Sequence, residues 1–262
     1  MINFKTISTL NEELNPRRIL KYVLLHCKDG STTLMIDDKE YRLYKDQVIT
    51  ITSGQIHFIK ELNGALSILE FTLDFFCKDD NDIELIFHNG LFCHFGMNEI
   101  ITLKDPKMFS ELCRKINNEL IEKPYQYLIS IRSYIELLLV EINRTKIENG
   151  DEIWKPDALF LNFLEHVRKH FKDNYNVSQF ADKLHTTELK LNELSKLHTD
   201  KTAQNVIYSL VVSEAKRMLI YQKISIKEIA FELGFNDPYY FSNFFKKYTN
   251  TSPKSYRKTH SL

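Results

Sequence analysis

The sequence predicts an α+β chain: a small β-rich domain first, then a helical segment, then an all-α domain with two helix-turn-helix units joined by a long helix. Three observations predict this. Short β-branched and alternating runs, separated by polar turns, fill roughly the first 75 residues. At Pro106 the apolar period changes from two to about 3.6. After Pro156 one pattern of small, apolar and polar positions occurs twice.

The strands come in order. Ile19 to Leu25 is apolar-rich. Thr32 to Ile36 and Tyr41 to Tyr44 flank Asp37-Asp38-Lys39-Glu40, a polar hairpin turn. Gln47 to Thr52 is a β-branched run, Ser53-Gly54 a turn, and Ile56 to Ile59 and Leu66 to Leu73 are further strands. Closely spaced short strands imply a small sandwich or barrel. Lys107 to Glu122 and Tyr125 to Lys146 then read as helices. In the second, Leu128, Ile131, Ile135, Leu138 and Ile142 step by three and four, a spacing that serves either a coiled-coil dimer seam or packing on the chain's own barrel. Ile147 to Lys155, with Asn149-Gly150, reads as a linker. The expected boundaries are 1–105 for the barrel, 106–147 for the helical segment, 148–156 for the linker and 157–262 for the last domain.

Composition excludes several classes. A hydrophobic fraction of 43% and a charged fraction of 27% are ordinary for a globular chain. No apolar run reaches the ~18–20 residues that span a bilayer, and Met1-Ile2-Asn3-Phe4-Lys5 does not open a signal peptide, so a cytoplasmic location without membrane partners is expected. Cys27, Cys77, Cys93 and Cys113 show no CxxC spacing and read as buried reduced thiols. Net charge is zero but unevenly spread. Before Lys155 there are 18 basic and 24 acidic residues; from Lys155 onward there are 17 and 11. A basic domain joined to an acidic one suits a nucleic-acid reader tethered to a sensor.

A helix-turn-helix needs a small residue where its helices cross, apolar residues that lock the second helix, and a polar outer face. The segment 225–248 meets these needs. Ser225 and Glu228 make a capping box, Ala230 is the crossing residue, and Ile229, Leu233 and Phe235 point inward. Gly234 frees the backbone for the turn, and Asp237-Pro238 caps and starts the second helix. Phe241, Phe244 and Phe245 bury its inner face, leaving Tyr239, Ser242, Asn243, Lys246 and Lys247 outward. The pattern repeats at 177–196. There Val177, Phe180, Ala181, Leu184, Leu191 and Leu194 face inward, and Leu189, Lys190, Asn192, Glu193 and Lys196 face outward. Ala203 to Gln222 joins the units as a helix ~28–30 Å long, close to the ~34 Å of one DNA turn.

The run Glu228-Ile-Ala-Phe-Glu-Leu-Gly-Phe-Asn-Asp-Pro-Tyr-Tyr-Phe-Ser-Asn-Phe-Phe-Lys-Lys-Tyr248, followed by Ser252-Pro253-Lys-Ser-Tyr256-Arg257, resembles the signature of the AraC/XylS family of bacterial transcription regulators. More loosely, Ile36 to His57 resembles that family's cupin-like sensor barrel, and Lys107 to Lys146 lies where its members carry dimerisation helices. The resemblance implies transcription regulation, as activator or repressor, with duplex DNA, RNA polymerase, a small-molecule effector and a second copy of the chain as partners. It places base-facing residues at Leu189, Asn192 and Glu193 and at Tyr239, Ser242 and Asn243, with phosphate contacts at Lys190, Lys196, Lys246 and Lys247. Glu193 and Asn243 stand where relatives often have Arg, which implies a different preferred site. Tyr22, His26, Tyr41, His57 and Phe71 are candidates to line an effector cavity. No cofactor is expected, and with His26, His57, His88 and His94 scattered and no His-x-His pair, a metal-dependent cupin enzyme is the weaker class. The other alternative is an effector-independent regulator whose barrel only dimerises.

Overall fold

The computed structural model describes residues 2–10, 14–76, 91–92, 98–150 and 157–260. The expected linker residues 151–156 and the candidates Cys77, His88, Cys93 and His94 lie outside the described residues. The chain divides into two compact units, Met1–Lys155 and Pro156–Leu262.

The first unit is built on one antiparallel sheet. Its strands are β1 (Ile2–Ile7), β2 (Arg17–Arg18), β3 (Tyr22–Ile36), β4 (Lys39–Tyr44), β5 (Gln47–Ile51), β6 (Ile56–Phe71) and β7 (Ile100–Thr102). The described ladder runs β1-β6-β3-β5-β7, with β2 on β6 and β4 on β3. The sequence reads as many short strands because Lys28-Asp29-Gly30 and Asn63-Gly64 interrupt its apolar pattern. The backbone instead runs through both interruptions, and β3 and β6 pair along their lengths, with register shifts at Cys27/Asp29 and Thr33/Leu34.

The bend has a steric cause. Gly30 and Gly64 are paired residues, with φ of +70° and +114°. A Cβ on Gly30 would fall 1.8 Å from the Asn63 carbonyl oxygen, and one on Gly64 2.2 Å from that of Asp29. Only glycine allows this approach. On either side of it, Val23, Leu25 and Ile68 from one half of the ribbon share a single core cluster with Leu34, Ile36 and Ile59 from the other. The described ladder is therefore an open path whose two halves close on each other by packing.

Helix α1 (Leu73–Phe76) follows the ribbon, and α2 (Pro106–Glu122) and α3 (Tyr127–Glu148) cover the sheet. Asp105 caps α2 by accepting from the Met108 N–H, with Pro106 at its first position. Of the two alternatives for the α3 stripe, packing within the chain is the one its burial supports. Ile131, Ile135, Leu138 and Ile142 are fully buried within the chain itself. Packing α3 on α2 and β7 uses that face, and only Leu128 of the five remains exposed.

The second unit is all-helical: α4 (Ala158–Lys169), α5 (Val177–Lys183), α6 (Glu188–Thr199), α7 (Ala203–Tyr221), α8 (Ile226–Glu232), α9 (Pro238–Thr249) and α10 (Pro253–His260). The connecting helix α7 buries Val206, Ile207, Leu210, Ala215, Met218 and Leu219. Among the described residues no helix is long and apolar enough to cross a membrane.

Candidate nucleic-acid interface

The two helix pairs of the second unit, α5–α6 and α8–α9, are built by one rule. Each first helix opens on a capping box, Asn176 with Gln179 in one and Ser225 with Glu228 in the other. The Glu228 carboxylate accepts from the Ser225 N–H, which lowers its pKa. Each first helix ends in a left-handed residue, His185 (φ 52°) and Gly234 (φ 79°). Past that residue, the Thr186 N–H donates to the Ala181 carbonyl and the Phe235 N–H to the Ala230 carbonyl, both at 2.9 Å. The two alanines are buried at the crossings, where a larger side chain would push the second helix away.

The second helices α6 and α9 are likewise capped, by Thr187 on the Lys190 N–H and by Asp237 on the Tyr239 N–H. Leu191 and Leu194 anchor α6; Phe241 and Phe245, both fully buried, anchor α9. Phe244 is half-buried in an aromatic pile with Tyr208, Phe235 and Tyr248.

The outer faces differ. On α9, Tyr239, Asn243, Lys246 and Lys247 are exposed, and Tyr240 joins them at 69% exposure, equal to Tyr239. The sequence reading missed Tyr240; its position beside Tyr239 in the first turn is the signal that marks it. Ser242 is half-buried, and its hydroxyl donates to the Pro238 carbonyl at 2.8 Å. On α6, Leu189, Lys190, Glu193 and Lys196 are exposed, and the Lys190 ammonium lies 3.9 Å from the Glu193 carboxylate. Asn192 is turned inward: its Nδ2 donates to the Glu188 carbonyl and its Oδ1 accepts from the Ala203 N–H, each at 3.0 Å. Both halves of its amide thus have a partner within the domain.

Comparison with known proteins fits this geometry. Residues 180–259 match the family described as "Helix-turn-helix domain". The HTH-type transcriptional activator RhaS of Escherichia coli is 29% identical over 125 residues, 48% of this chain and 44% of RhaS. The C-terminal unit carries this helix-turn-helix domain, and the relatives it matches are AraC-family regulators. An HTH-type transcriptional regulator of Pseudoalteromonas carrageenovora is 29% identical to the chain over 119 residues, 45% of this chain and 70% of that protein. The xylose operon regulatory protein of Haemophilus influenzae is 33% identical over 101 residues, 38% of this chain and 26% of that protein. The chain thus spans less than half the length of two of these three relatives. ToxT of Vibrio cholerae superposes on the whole chain and 99% of its own at 15% identity and a TM-score of 0.45.

In the first unit the effector candidates do not share one cavity. Alternation along β3 places Tyr22 and His26 on the sheet face opposite Val23 and Leu25. Tyr22 packs on Phe71 and Phe92, and His26 lies edge-on to Phe109 of α2, with ring centroids 4.9 Å apart. Tyr22, His26 and Phe71 therefore belong to the packing beneath the helices. Only His57 lines the cavity between the two halves of the sheet, with Arg17, Leu25, Leu34, Phe58, Ile59 and Ile68. Tyr41 is half-buried against the same core. The cavity holds about 10 Å³, room for one water.

Charge lies buried beside that cavity. Glu70 is ion-paired with Arg17 at 2.9 Å and accepts a hydrogen bond from Lys21 at 3.2 Å. Burial pushes the Glu70 carboxyl up, but Arg17 and Lys21 outweigh it and hold it below the usual range. Burial, then Arg17, drags the His57 imidazole down to about 4, and its Nε2 has no hydrogen-bond partner. His26 is also lowered to about 4, chiefly by burial, and neither ring nitrogen is bonded. Both rings are neutral near pH 7. Cys27 and Cys113 are free, buried thiols, and burial pushes Cys113 up to about 12, which suppresses the reactive thiolate. Among the described residues no cluster of His, Cys, Asp and Glu could hold a metal.

Proposed function

We propose that this chain is a sequence-specific DNA-binding transcription regulator acting in the cytoplasm by binding, not catalysis. One observation carries the reading: two helix pairs built on one plan flank a 19-residue connecting helix in the chain, and each recognition helix has an exposed polar face. At ~1.5 Å per residue α7 extends about 28 Å, near the pitch of duplex DNA, so α6 and α9 can enter successive major grooves. Lys196, Lys246 and Lys247 would meet phosphates, with Lys190 held partly by Glu193. Tyr239, Tyr240 and Asn243 in one groove, and Leu189 and Glu193 in the other, would meet base edges. The N-terminal unit is proposed as the regulatory half, with a small effector, a second copy of the chain and RNA polymerase as partners.

A second reading, in which the N-terminal unit only dimerises, draws on the cavity at His57, which holds about 10 Å³. Thermal shift of the full chain against metabolite pools separates the two: a ligand that raises the melting temperature supports effector control, and no shift supports the dimeriser. The DNA reading is tested by selecting sites from random duplex DNA with the full-length protein. Enrichment of two contacted blocks about one helical turn apart is expected. Folded protein that enriches no sequence at low salt would contradict it.

A further inference from the structure

The two helix pairs share an offset that exposes one difference between them. Asn192 is the fifth residue of α6 and Ser242 the fifth of α9. The helix after α6 begins with cap Thr202 and first residue Ala203; the helix after α9 begins with Ser252 and Pro253. In each, the cap hydroxyl accepts from an N–H three residues on, Asn205 in one and Ser255 in the other. The first-turn donors otherwise lack partners within the helix. Proline brings no N–H at that position. Ala203 brings one, and the residue is fully buried. Where the following helix starts on proline, the recognition helix carries Ser242, bonded only to its own helix. Where it starts on alanine, the recognition helix carries Asn192, whose Oδ1 accepts that N–H at 3.0 Å.

The amide orientation of Asn192 is fixed by both partners. Reversing it would face its NH2 to the Ala203 N–H and its oxygen to the Glu188 carbonyl. Turning Asn192 toward a base would strand the Ala203 donor away from water, which is more costly than a surface contact is favourable. The other end of α7 is held as well, by Arg257 of α10, whose Nε donates to the Leu219 carbonyl at 3.1 Å.

We infer that Asn192 is a positioning residue that sets the spacing between the two DNA-reading blocks by locking α6 to the start of α7, and that it reads no base. The inference rests on the DNA-reading proposal above. Asn192 fixes where the first block lies relative to the second, while the exposed residues of α6 and α9 determine which bases occupy each.

The test uses full-length wild-type protein, N192A and N192D on a duplex library in which the separation of the two selected blocks varies by single base pairs. Wild type should favour one separation. N192A should keep the same bases in each block, bind the favoured element on the order of tenfold more weakly, and lose most of its discrimination between separations. N192D keeps an acceptor for the Ala203 N–H and should retain the wild-type separation. Relaxed preference at one base position in N192A, with separation discrimination intact, would overturn the inference and make Asn192 a base reader. N192A that matches wild type in both would overturn it too. If N192A fails to fold, N192D decides alone, and a folded N192D without separation discrimination overturns the claim. Wild type that enriches no sequence fails the DNA-reading proposal itself, a result distinguishable from the others.

Discussion

The α5–α6 and α8–α9 pairs are two versions of one device, and they differ in what they offer DNA. The α9 face is cationic and aromatic: Tyr239, Tyr240, Asn243, Lys246 and Lys247 are exposed, and the helix carries no acidic residue. The α6 face carries Glu188 and Glu193 beside Lys190 and Lys196, and one of those lysines is near enough to Glu193 to share its charge with it. A buried aromatic pair, Phe241 and Phe245, holds α9; aliphatic Leu191 and Leu194 hold α6. The shared framework fixes where the helices go, while affinity depends on the outer face. In this account α9 supplies most of the phosphate attraction, and α6 contributes register and a cytosine-accepting carboxylate.

The largest expected effect breaks the framework of one pair. Phe241→Ala removes a fully buried ring packed on Phe235 and Phe245 and should cost about 3–5 kcal/mol. Denaturant unfolding measures that loss, and protection of the α9 block should vanish first. A loss under about 1 kcal/mol would contradict the packing described.

Acid should act on the other unit. His26 and His57 have folded pKa values of about 4, below the ordinary 6.5. Well above pH 6.5 both rings are neutral in either state and contribute no pH dependence. Between pH 6.5 and 4 the unfolded chain takes up protons that the folded chain refuses, so stability falls as pH falls, by up to ~1.4 kcal/mol per unit per histidine. Melting of full-length protein from pH 7.5 to 4.5 should show this decline, and His57→Gln should make it shallower. An equal slope in the variant would remove His57 from the account.

Charge on the reading faces gives the next effect. Asn243→Ala should lose roughly 1–3 kcal/mol on the selected element and relax one base position. Lys246→Ala should weaken all sequences and reduce the salt slope by about one, with a smaller change for Lys190→Ala. Glu193→Gln should raise affinity generally while discriminating less at a cytosine. Titrations across salt concentrations check all four, and equal slopes for the two lysine variants would dissolve the contrast between the faces.

The smallest effect is local. His185 holds the left-handed turn that Gly234 holds in the second pair. His185→Gly should stabilise by up to about 1 kcal/mol, because glycine adopts that conformation without steric strain. A drop in melting temperature would show that the imidazole makes a compensating contact.

Much of the C-terminal unit is legible in the sequence because its signals are local. Caps, the crossing alanines and the left-handed turn each lie within a few residues of what they control. The bond between Asn192 and the Ala203 N–H is not legible, because its donor is a backbone group eleven residues on and the outward spacing of α6 does not reveal it. The N-terminal unit depends on longer-range pairing. Gly30 and Gly64 look like breaks between strands, and only their mutual pairing turns them into a bend within two long ones. The α3 stripe fits a dimer seam and an intramolecular core equally well by period; burial against α2 and β7 selects the core. Residue type alone groups Tyr22 and His26 with His57; strand alternation separates them.

The central claim, two reading helices held on one face of a duplex, is tested most directly by hydroxyl-radical and base-specific footprinting of the selected element with full-length protein. Two protected major-groove patches about ten base pairs apart on the same face, with the patch assigned to α9 persisting to higher salt, is the predicted result. A single patch, or two patches on opposite faces, would contradict it.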